Sequence, residues 1–159
     1  MHVEAKLEEL GLVLPEPLKA PAGVRIPFAF ARVHGRRVFV AGHGPQAPDG
    51  TLEHSRGKVG ADVPVEEARE AARLTGLSIL GTLKRELGDL DRVTAWLRVF
   101  GMVNSAPGFI DQPSVINGFS DLILELYGPE VGRHARSSVG MAELPFGIPV
   151  EIEAELVID

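Results

Sequence analysis

Two segments near the end of the chain carry side chains that could bind or activate a small molecule. His134, Arg136 and Ser138 occupy alternate positions, so they would share one face of a strand. An arginine presents a planar, two-donor fork that matches a carboxylate, and a lysine cannot reproduce that match. A glutamate can orient a water molecule and accept its proton, and three of them alternate downstream, at Glu151, Glu153 and Glu155.

Each segment also has a simpler interpretation. Arg136 could form an ion pair with an acidic neighbour in the fold, and the three glutamates could form a solvated strand face. His134 could be an acid or base in a site, or a structural histidine whose ring nitrogens are satisfied by the protein. The residue types alone leave these alternatives open.

Several kinds of chemistry are excluded. The chain contains no cysteine, so it has no disulfide, no thiolate nucleophile and no cysteine-based metal site. His34, His43 and His54 do not have the spacing of metal ligands, so we expect no metal. The Ser138 hydroxyl has no implied base partner and is not expected to act as a nucleophile.

Length and composition predict one soluble domain over residues 1–159. Hydrophobic residues make up 45% of the chain and charged residues 24%. The formal net charge is −6 and the basic residues are scattered, which disfavours nucleic acid as a partner. No stretch approaches the ~20 apolar residues that span a bilayer, and the first residues do not resemble a signal peptide. We therefore expect a cytoplasmic protein with no membrane partner.

The elements that would position these side chains follow from apolar periodicity. Residues 1–23 predict a short helix, over residues 3–10, and an arm rich in proline. A regular helix is predicted over residues 64–87, and a second lies between Asp111 and Gly128. Strands are predicted over residues 28–33, 37–41, 91–103, 134–143 and 149–158. The order ββαβαββ indicates an α+β fold.

The sheet of this fold has one face that the helices leave uncovered. Two amphipathic helices can cover only one face. The long strand over residues 91–103 is apolar on both sides, with Trp96, Phe100 and Met102 predicted on the second side. A single small chain offers no further layer, so we predict that sheets from different subunits pack together.

A specific pattern in the last thirty residues adds a family resemblance. The run Ala135-Arg136-Ser137-Ser138-Val139 precedes Leu144-Pro145, and Glu151-Ile152-Glu153-Ala154 follows. This order and spacing resemble the signature of the RidA (YjgF/YER057c/UK114) family. Residues 26–28, residues 40–45 and the helix around Asn117 agree more weakly. The resemblance covers roughly residues 24–158, and the extra segments resemble a longer subgroup of the family.

The resemblance implies a fold, an assembly and an activity. The fold would be chorismate-mutase-like, and the assembly would be a homotrimer with ligand clefts between subunits. The activity would be hydrolysis of reactive 2-imino acids or enamines to 2-oxo acids and ammonia, with no cofactor. Glu151 would be catalytic. The substrate-binding positions would be Arg136, Ser138, Phe28, Ala41, Asn117 and His43.

Four of these positions depart from the family pattern. Phe28 replaces a tyrosine and Ala41 replaces a serine, so the pocket loses two hydroxyl groups. His43 replaces a common glutamine, and Ser138 stands where a cysteine is frequent. The loss of these two hydroxyl groups makes the pocket less polar and bears on the activity more than on the fold.

The spacing of Arg136 and Glu151 predicts that one chain does not hold both at one ligand. If the last two strands pair through the loop at 144–148, Arg136 lies opposite residue 156, roughly 16 Å along the strand from Glu151. Partners from two chains would then form the site.

Other functions compete with imine hydrolysis. A non-catalytic protein could bind or sense small carboxylates or ketoacids in the same clefts, since Arg136 suffices for that. Ribonuclease activity, attached to some relatives, is disfavoured by the net charge of −6 and the lack of a basic aromatic surface. Chorismate mutase activity would rest on fold analogy alone.

Overall fold

The computed structural model describes residues 2–52 and 56–159. Its helices and strands occur in the predicted ββαβαββ order, preceded by one helix. Two short 3-10 turns lie at Leu90–Arg92 and Pro145–Gly147. The elements are α1 His2–Glu9, β1 Ala31–His34, β2 Arg37–His43, α2 Val65–Leu87, β3 Val93–Asn104, α3 Gln112–Val131, β4 Ala135–Met141 and β5 Val150–Ile158.

The five strands form one mixed sheet in the order β1-β2-β5-β3-β4. β3 and β4 run parallel, and the other neighbouring strands run antiparallel. Helix α3 connects β3 to β4, because parallel neighbours need a crossover that returns the chain to the same end of the sheet. This crossover makes β4 an edge strand.

The expected pairing of the last two strands is wrong. β3 lies between β4 and β5, with Val99 beside Arg136 on one side and beside Ala154 on the other. The short loop over residues 142–149 therefore spans β3 instead of forming a hairpin. The physical reason is the β3-α3-β4 crossover, which pairs β4 with β3 and leaves it no place beside β5.

Two irregularities in β3 move Trp96 to the face that the helices cover. The register of β3 against β5 shifts between Val93 and Ala95 and again between Trp96 and Arg98, so the alternation of faces is changed only around Trp96. Trp96 is buried and meets the rings of Phe119 and Tyr127 edge-on, at 6.0 and 5.7 Å between ring centroids. The prediction that Trp96 lies on the uncovered face is therefore wrong.

Helices α2 and α3 pack on one face of the sheet and form the main core with it. Apolar residues of β2, β3 and β5 alternate into this core, where they meet the apolar faces of both helices. Gly101 of β3 lies directly beneath Ile116 of α3, where an added Cβ would come within 2.6 Å of the Ile116 side chain. Close contact between sheet and helix therefore requires glycine at this position.

The N-terminal helix and arm are ordered against the rest of the chain. Val3 and Leu7 of α1 are buried, whereas Leu10 lies beyond the helix and is exposed. Arg85 of α2 donates to the Pro15 carbonyl at 3.0 Å, and Lys84 pairs with Glu4 at 2.6 Å. The first bond attaches the proline-rich arm to α2, and the second attaches α1 to the same helix.

The opposite face of the sheet carries the other alternating residues of β2, β3 and β5. Phe100 and Met102 lie there beside Glu153 and Glu151, as predicted. Met102 is buried by Leu144 and Ile148 from the loop before β5. Phe39 remains 43% exposed, so much of this face is uncovered in one chain.

Candidate functional site

Arg136 extends from β4 toward α3, on the helix-covered face. Its Nη1 donates to the Asn117 side-chain oxygen at 2.8 Å and to the Ser120 hydroxyl at 3.0 Å. Asn117 and Ser120 are three residues apart in α3, so they lie on the same side of the helix. We call Arg136, Asn117, Ser120 and Ser138 the arginine half-site.

One edge of the Arg136 guanidinium is left for a ligand. Both of the short hydrogen bonds use Nη1, and Nη2 makes only a long contact of 3.5 Å with the Pro113 carbonyl. Among residues 2–52 and 56–159, no carboxylate forms an ion pair with Arg136. The edge formed by Nε and Nη2 has the geometry that binds a carboxylate through two parallel hydrogen bonds.

Arg136 remains positively charged although it is partly buried. Burial lowers the pKa of this guanidinium, and the charge of Asp121 raises the pKa in the opposite sense. An arginine stays protonated in proteins, since its pKa lies far above neutrality. The arginine half-site is therefore cationic and surrounded by neutral hydrogen-bonding groups.

Ser138 lies two residues from Arg136, on the same face of β4. Its hydroxyl oxygen is buried and has no hydrogen-bond partner in the part of the chain that the structure describes. A buried polar atom without a partner is unfavourable and often marks a functional position. The residue predicted to contact substrate is thus a polar group without a bond in the single chain.

Glu151 lies at the start of β5, beside Met102 on the face opposite to Arg136. Its side chain folds over Gly42 at the end of β2, where an added Cβ would overlap Oε2 and lie 2.9 Å from Cδ. Burial raises the pKa of the Glu151 carboxyl, and the nearby charge of Glu153 raises it further. A glutamate with a raised pKa is a stronger base, provided that it is ionised.

A cavity of about 360 Å³ lies next to Glu151. Its wall is mainly apolar and is formed by the arm, by the residues just before β1, by the end of β2 and by the loop before β5. Among the lining residues are Val24, Ile26, Phe28, Phe30, Ile148 and Glu151. We call Glu151, Gly42 and this cavity the glutamate half-site, and it includes the predicted residue Phe28.

The two half-sites of one chain are far apart. Arg136 lies beside Val99 and Glu151 beside Met102, with β3 between their strands. Strand geometry places the two backbone positions about 14 Å apart, and the side chains leave opposite faces of the sheet. One small ligand therefore cannot contact both within a single chain. The sequence predicted this separation from a β4–β5 hairpin, whereas in the structure it comes from β3 lying between the two strands.

The remaining predicted residues lie elsewhere. Ala41 faces a shallow cavity of about 240 Å³ with Arg98 and Glu153 on the uncovered sheet face. His43 is 5% exposed, and its nitrogens contact the Ala41 carbonyl at 2.6 Å and the Thr82 hydroxyl at 2.9 Å. Burial is the main cause that lowers the pKa of His43 to about 4, so this histidine is neutral at pH 7.

Two residues of these half-sites were missed from the sequence. Ser120 lies one helical turn after Asn117, a spacing that could have indicated it once Asn117 was chosen. Gly42 is next to Ala41, which was predicted to bind substrate. It leaves space for the Glu151 side chain, and no sequence pattern indicates that contact.

The clearest group of possible metal ligands lies away from both half-sites. One oxygen of each of Glu4, Asp89 and Asp91 lies within 4.8 Å of the others. Lys84 and the backbone N–H of Leu90 already contact Glu4, and Val3 donates to Asp91. His34 does not join a metal-binding group within the described ranges, and His54 lies outside them.

Comparison with known proteins identifies the family. A model described as "YjgF/chorismate_mutase-like, putative endoribonuclease" matches residues 4–148. The chain therefore belongs to the YjgF, or RidA, family, as its motifs predicted. It is 41% identical to Protein TCP17 of Trypanosoma cruzi over 153 residues, which are 96% of this chain and 92% of that protein.

Solved structures agree with the fold. Atu1372 from Agrobacterium tumefaciens is 38% identical, with a TM-score of 0.86 over 99% of this chain and 92% of its own. A Shewanella oneidensis protein carrying the endoribonuclease description is 30% identical, with a TM-score of 0.87 over 99% and 100%. Escherichia coli TdcF with bound serine shares the fold at 19% identity and a TM-score of 0.58. The higher scores agree with a distinct, longer subgroup.

No helix among the described residues is both long and apolar enough to cross a bilayer.

Proposed function

We propose that this protein hydrolyses the C=N bond of reactive 2-imino acids and related enamines, giving 2-oxo acids and ammonia. The reaction would take place in clefts between the subunits of a homotrimer. Each cleft would combine the arginine half-site of one subunit with the glutamate half-site of the next. No cofactor is required, because water is the only co-reactant of the hydrolysis.

The observation that carries the proposal is the open edge of Arg136. Asn117 and Ser120 hold Nη1, and no carboxylate among the described residues neutralises the guanidinium. A 2-imino acid has a carboxylate next to its C=N carbon, so two hydrogen bonds from Nε and Nη2 would fix that carbon in one orientation. Ser138 is two residues from Arg136 on the same strand, and its hydroxyl has no partner among the described residues, so it is a second polar group for the same ligand.

Glu151 would supply the base. A carboxylate that is half-buried in an apolar cavity can orient a water molecule and accept its proton as the water attacks the C=N carbon. The nitrogen of the resulting carbinolamine then takes a proton and leaves as ammonia, while the hydroxyl group gives up its proton and becomes the carbonyl of the 2-oxo acid. Glu151, once it holds the proton taken from water, is the group placed to return that proton to the leaving nitrogen.

The uncovered sheet face supports the assembly. Exposed Phe39 and the side chains of Phe100 and Arg98 lie on this face, where a second sheet could cover them. The separation of about 14 Å between Arg136 and Glu151 within one chain also favours a site shared by two chains. Bound serine in the related TdcF is in keeping with a small ligand that has a carboxylate.

The direct test generates 2-imino acids with an amino acid oxidase and follows their loss by semicarbazone trapping. The protein should accelerate release of ammonia from several imino acids and lower the yield of semicarbazone. Buffer and the Arg136→Gln variant are the matched controls. No acceleration with any of a panel of small, branched and aromatic imino acids would end the proposal.

Non-catalytic binding of 2-oxo acids is the second candidate, and the polarity of the cavity favours it. Phe28 offers no hydroxyl to the wall around Glu151, and Ala41 faces another cavity. A thermal shift with pyruvate that depends on Arg136, without turnover of any imino acid, would support this alternative. Hydrolysis of RNA is less favoured, because the formal net charge of the chain is −6.

A further inference from the structure

A chain of hydrogen bonds runs from Arg136 through Ser120 to His134. Arg136 Nη1 donates to the Ser120 hydroxyl oxygen at 3.0 Å. The same oxygen lies 2.9 Å from Nε2 of His134, and Nδ1 of His134 lies 2.8 Å from the Gly132 carbonyl oxygen. His134 immediately precedes β4 and is half-buried beside the ring of Phe119.

The direction of each bond follows from its partners. A carbonyl oxygen can only accept, so Nδ1 of His134 must carry the proton that it donates to Gly132. In the neutral ring Nε2 then has a lone pair, and the Ser120 hydroxyl donates to it. The Ser120 oxygen is therefore left to accept from Arg136. The neutral Nδ1–H form of His134 satisfies all three groups, with the Ser120 hydroxyl donating to Nε2 and accepting from Arg136.

We propose that His134 is a positioning residue that fixes the Arg136 guanidinium through Ser120. This inference rests on the proposed function, in which Arg136 binds the carboxylate of the substrate. His134 does not touch the ligand. Its lone pair orients the Ser120 hydroxyl, and that orientation holds Nη1 so that the Nε and Nη2 edge stays directed at the cleft.

The charges around this chain of bonds favour the neutral ring. Arg136 of β4 is the charged group that acts on His134, and Asp121 of α3 acts in turn on Arg136. Burial is the main cause that lowers the pKa of His134 below 6.5, and the positive charge of Arg136 lowers it further. A protonated ring would turn Nε2 into a donor toward an oxygen that already accepts from Arg136.

Two substitutions at His134 separate positioning from packing. His134→Gln keeps an amide oxygen that can accept from Ser120, whereas His134→Leu has similar bulk and no acceptor. Binding of pyruvate at pH 7.5 should stay within about threefold of wild type in the first variant and weaken by about tenfold in the second. In the imine assay the loss in His134→Leu should appear mainly in KM. Equal binding by both variants would overturn the proposal, as would equal loss.

A titration without ligand tests the coupling even if no substrate is found. The pKa and tautomer of His134 can be followed by NMR through its ring ¹³C and ¹⁵N shifts. The wild-type ring should be the Nδ1–H tautomer, and Arg136→Gln should raise the pKa of His134. Arg133→Gln, which removes an exposed charge one residue before His134, should change it less. An Nε2–H tautomer in wild type, or the same His134 pKa in wild type and in Arg136→Gln, would contradict the positioning role. This holds whether or not imino acids are hydrolysed.

Discussion

The arginine half-site and the glutamate half-site are built in opposite ways. Around Arg136 the groups are polar: Asn117 and Ser120 accept from one side of the guanidinium, and the Ser138 hydroxyl has no partner among the described residues. Around Glu151 the wall is apolar, and the side chain lies over Gly42 beside an open cavity. Within residues 2–52 and 56–159, the first supplies a cation and neutral hydrogen-bonding groups, and the second supplies a carboxylate beside an open cavity. Neither half-site is sufficient for imine hydrolysis, which is why we place the reaction between subunits.

Removing the cation should produce the largest effect. Arg136→Gln should lower kcat/KM for imino acids by about a thousandfold, because two charge-assisted hydrogen bonds to the carboxylate are lost. Arg136→Lys should restore little, since an ammonium group cannot make the paired contact. Steady-state kinetics checks both, with Arg133→Gln as the matched control. Wild-type kinetics in Arg136→Gln would show that Arg136 does not bind the substrate carboxylate.

Removing the base should have the next largest effect on turnover and should leave the affinity for pyruvate almost unchanged. Glu151→Gln should lower kcat by about a hundredfold while pyruvate still binds through Arg136. In wild type, kcat/KM should fall as pH decreases through the raised pKa of Glu151, because the protonated carboxyl cannot accept a proton from water.

Glu153→Gln is the matched control for the base. It removes a charge that raises the pKa of Glu151, so the acid limb should move to lower pH while activity at neutral pH is kept. A pH profile that is unchanged by both substitutions would show that another group accepts the proton.

Adding one methyl group at Gly42 should disturb only the glutamate half-site. The new Cβ would overlap Oε2 of Glu151 and push the carboxylate from its place. Gly42→Ala should therefore lower kcat by about tenfold with little change in pyruvate binding. The same change in the Glu151→Gln background should have almost no further effect. Independent, additive losses would mean that Gly42 acts through something other than Glu151.

His43 should affect stability and leave both half-sites active. Its pKa of about 4 in the folded protein is below its ordinary value of 6.5, so the unfolded chain binds a proton at higher pH than the folded protein does. The free energy of unfolding is therefore highest above pH 6.5 and decreases as the pH falls toward 4. This loss amounts to about 3 kcal/mol. Denaturant unfolding at several pH values should show a flatter acid decline in His43→Gln. A large loss of turnover at pH 7.5 in this variant would instead place His43 in the chemistry.

The order of elements could be predicted because it depends on local patterns. The period of apolar residues identified α2 and α3, and alternation identified the long strands. Trp96 could not be placed, because β3 has a register shift on each side of it, and such shifts leave no local signal in the sequence. The position of β4 beside β3 follows from the strand-helix-strand order, because such a crossover joins parallel neighbours, whereas the short loop after β4 is typical of a hairpin with β5.

The candidate site was predictable in its residue types and not in its arrangement. Motif positions led to Arg136, Asn117 and Ser138, which the structure brings together on one side of β4 and α3. Motif positions also led to His43, whose burial depends on Thr82 of α2, a contact between residues 39 apart in the chain. Contacts of that kind are set by tertiary packing, so sequence spacing alone does not indicate them.

The central claim is that Arg136 of one subunit acts with Glu151 of another, and mixed oligomers test it most directly. Arg136→Gln and Glu151→Gln chains, each nearly inactive alone, would be co-expressed in equal amounts and purified as one assembly. Half of the clefts would receive an intact arginine and half an intact glutamate, so about a quarter of wild-type activity should return. If both residues act within one chain, no cleft is repaired, and activity that stays at the level of the two separate variants would contradict the account.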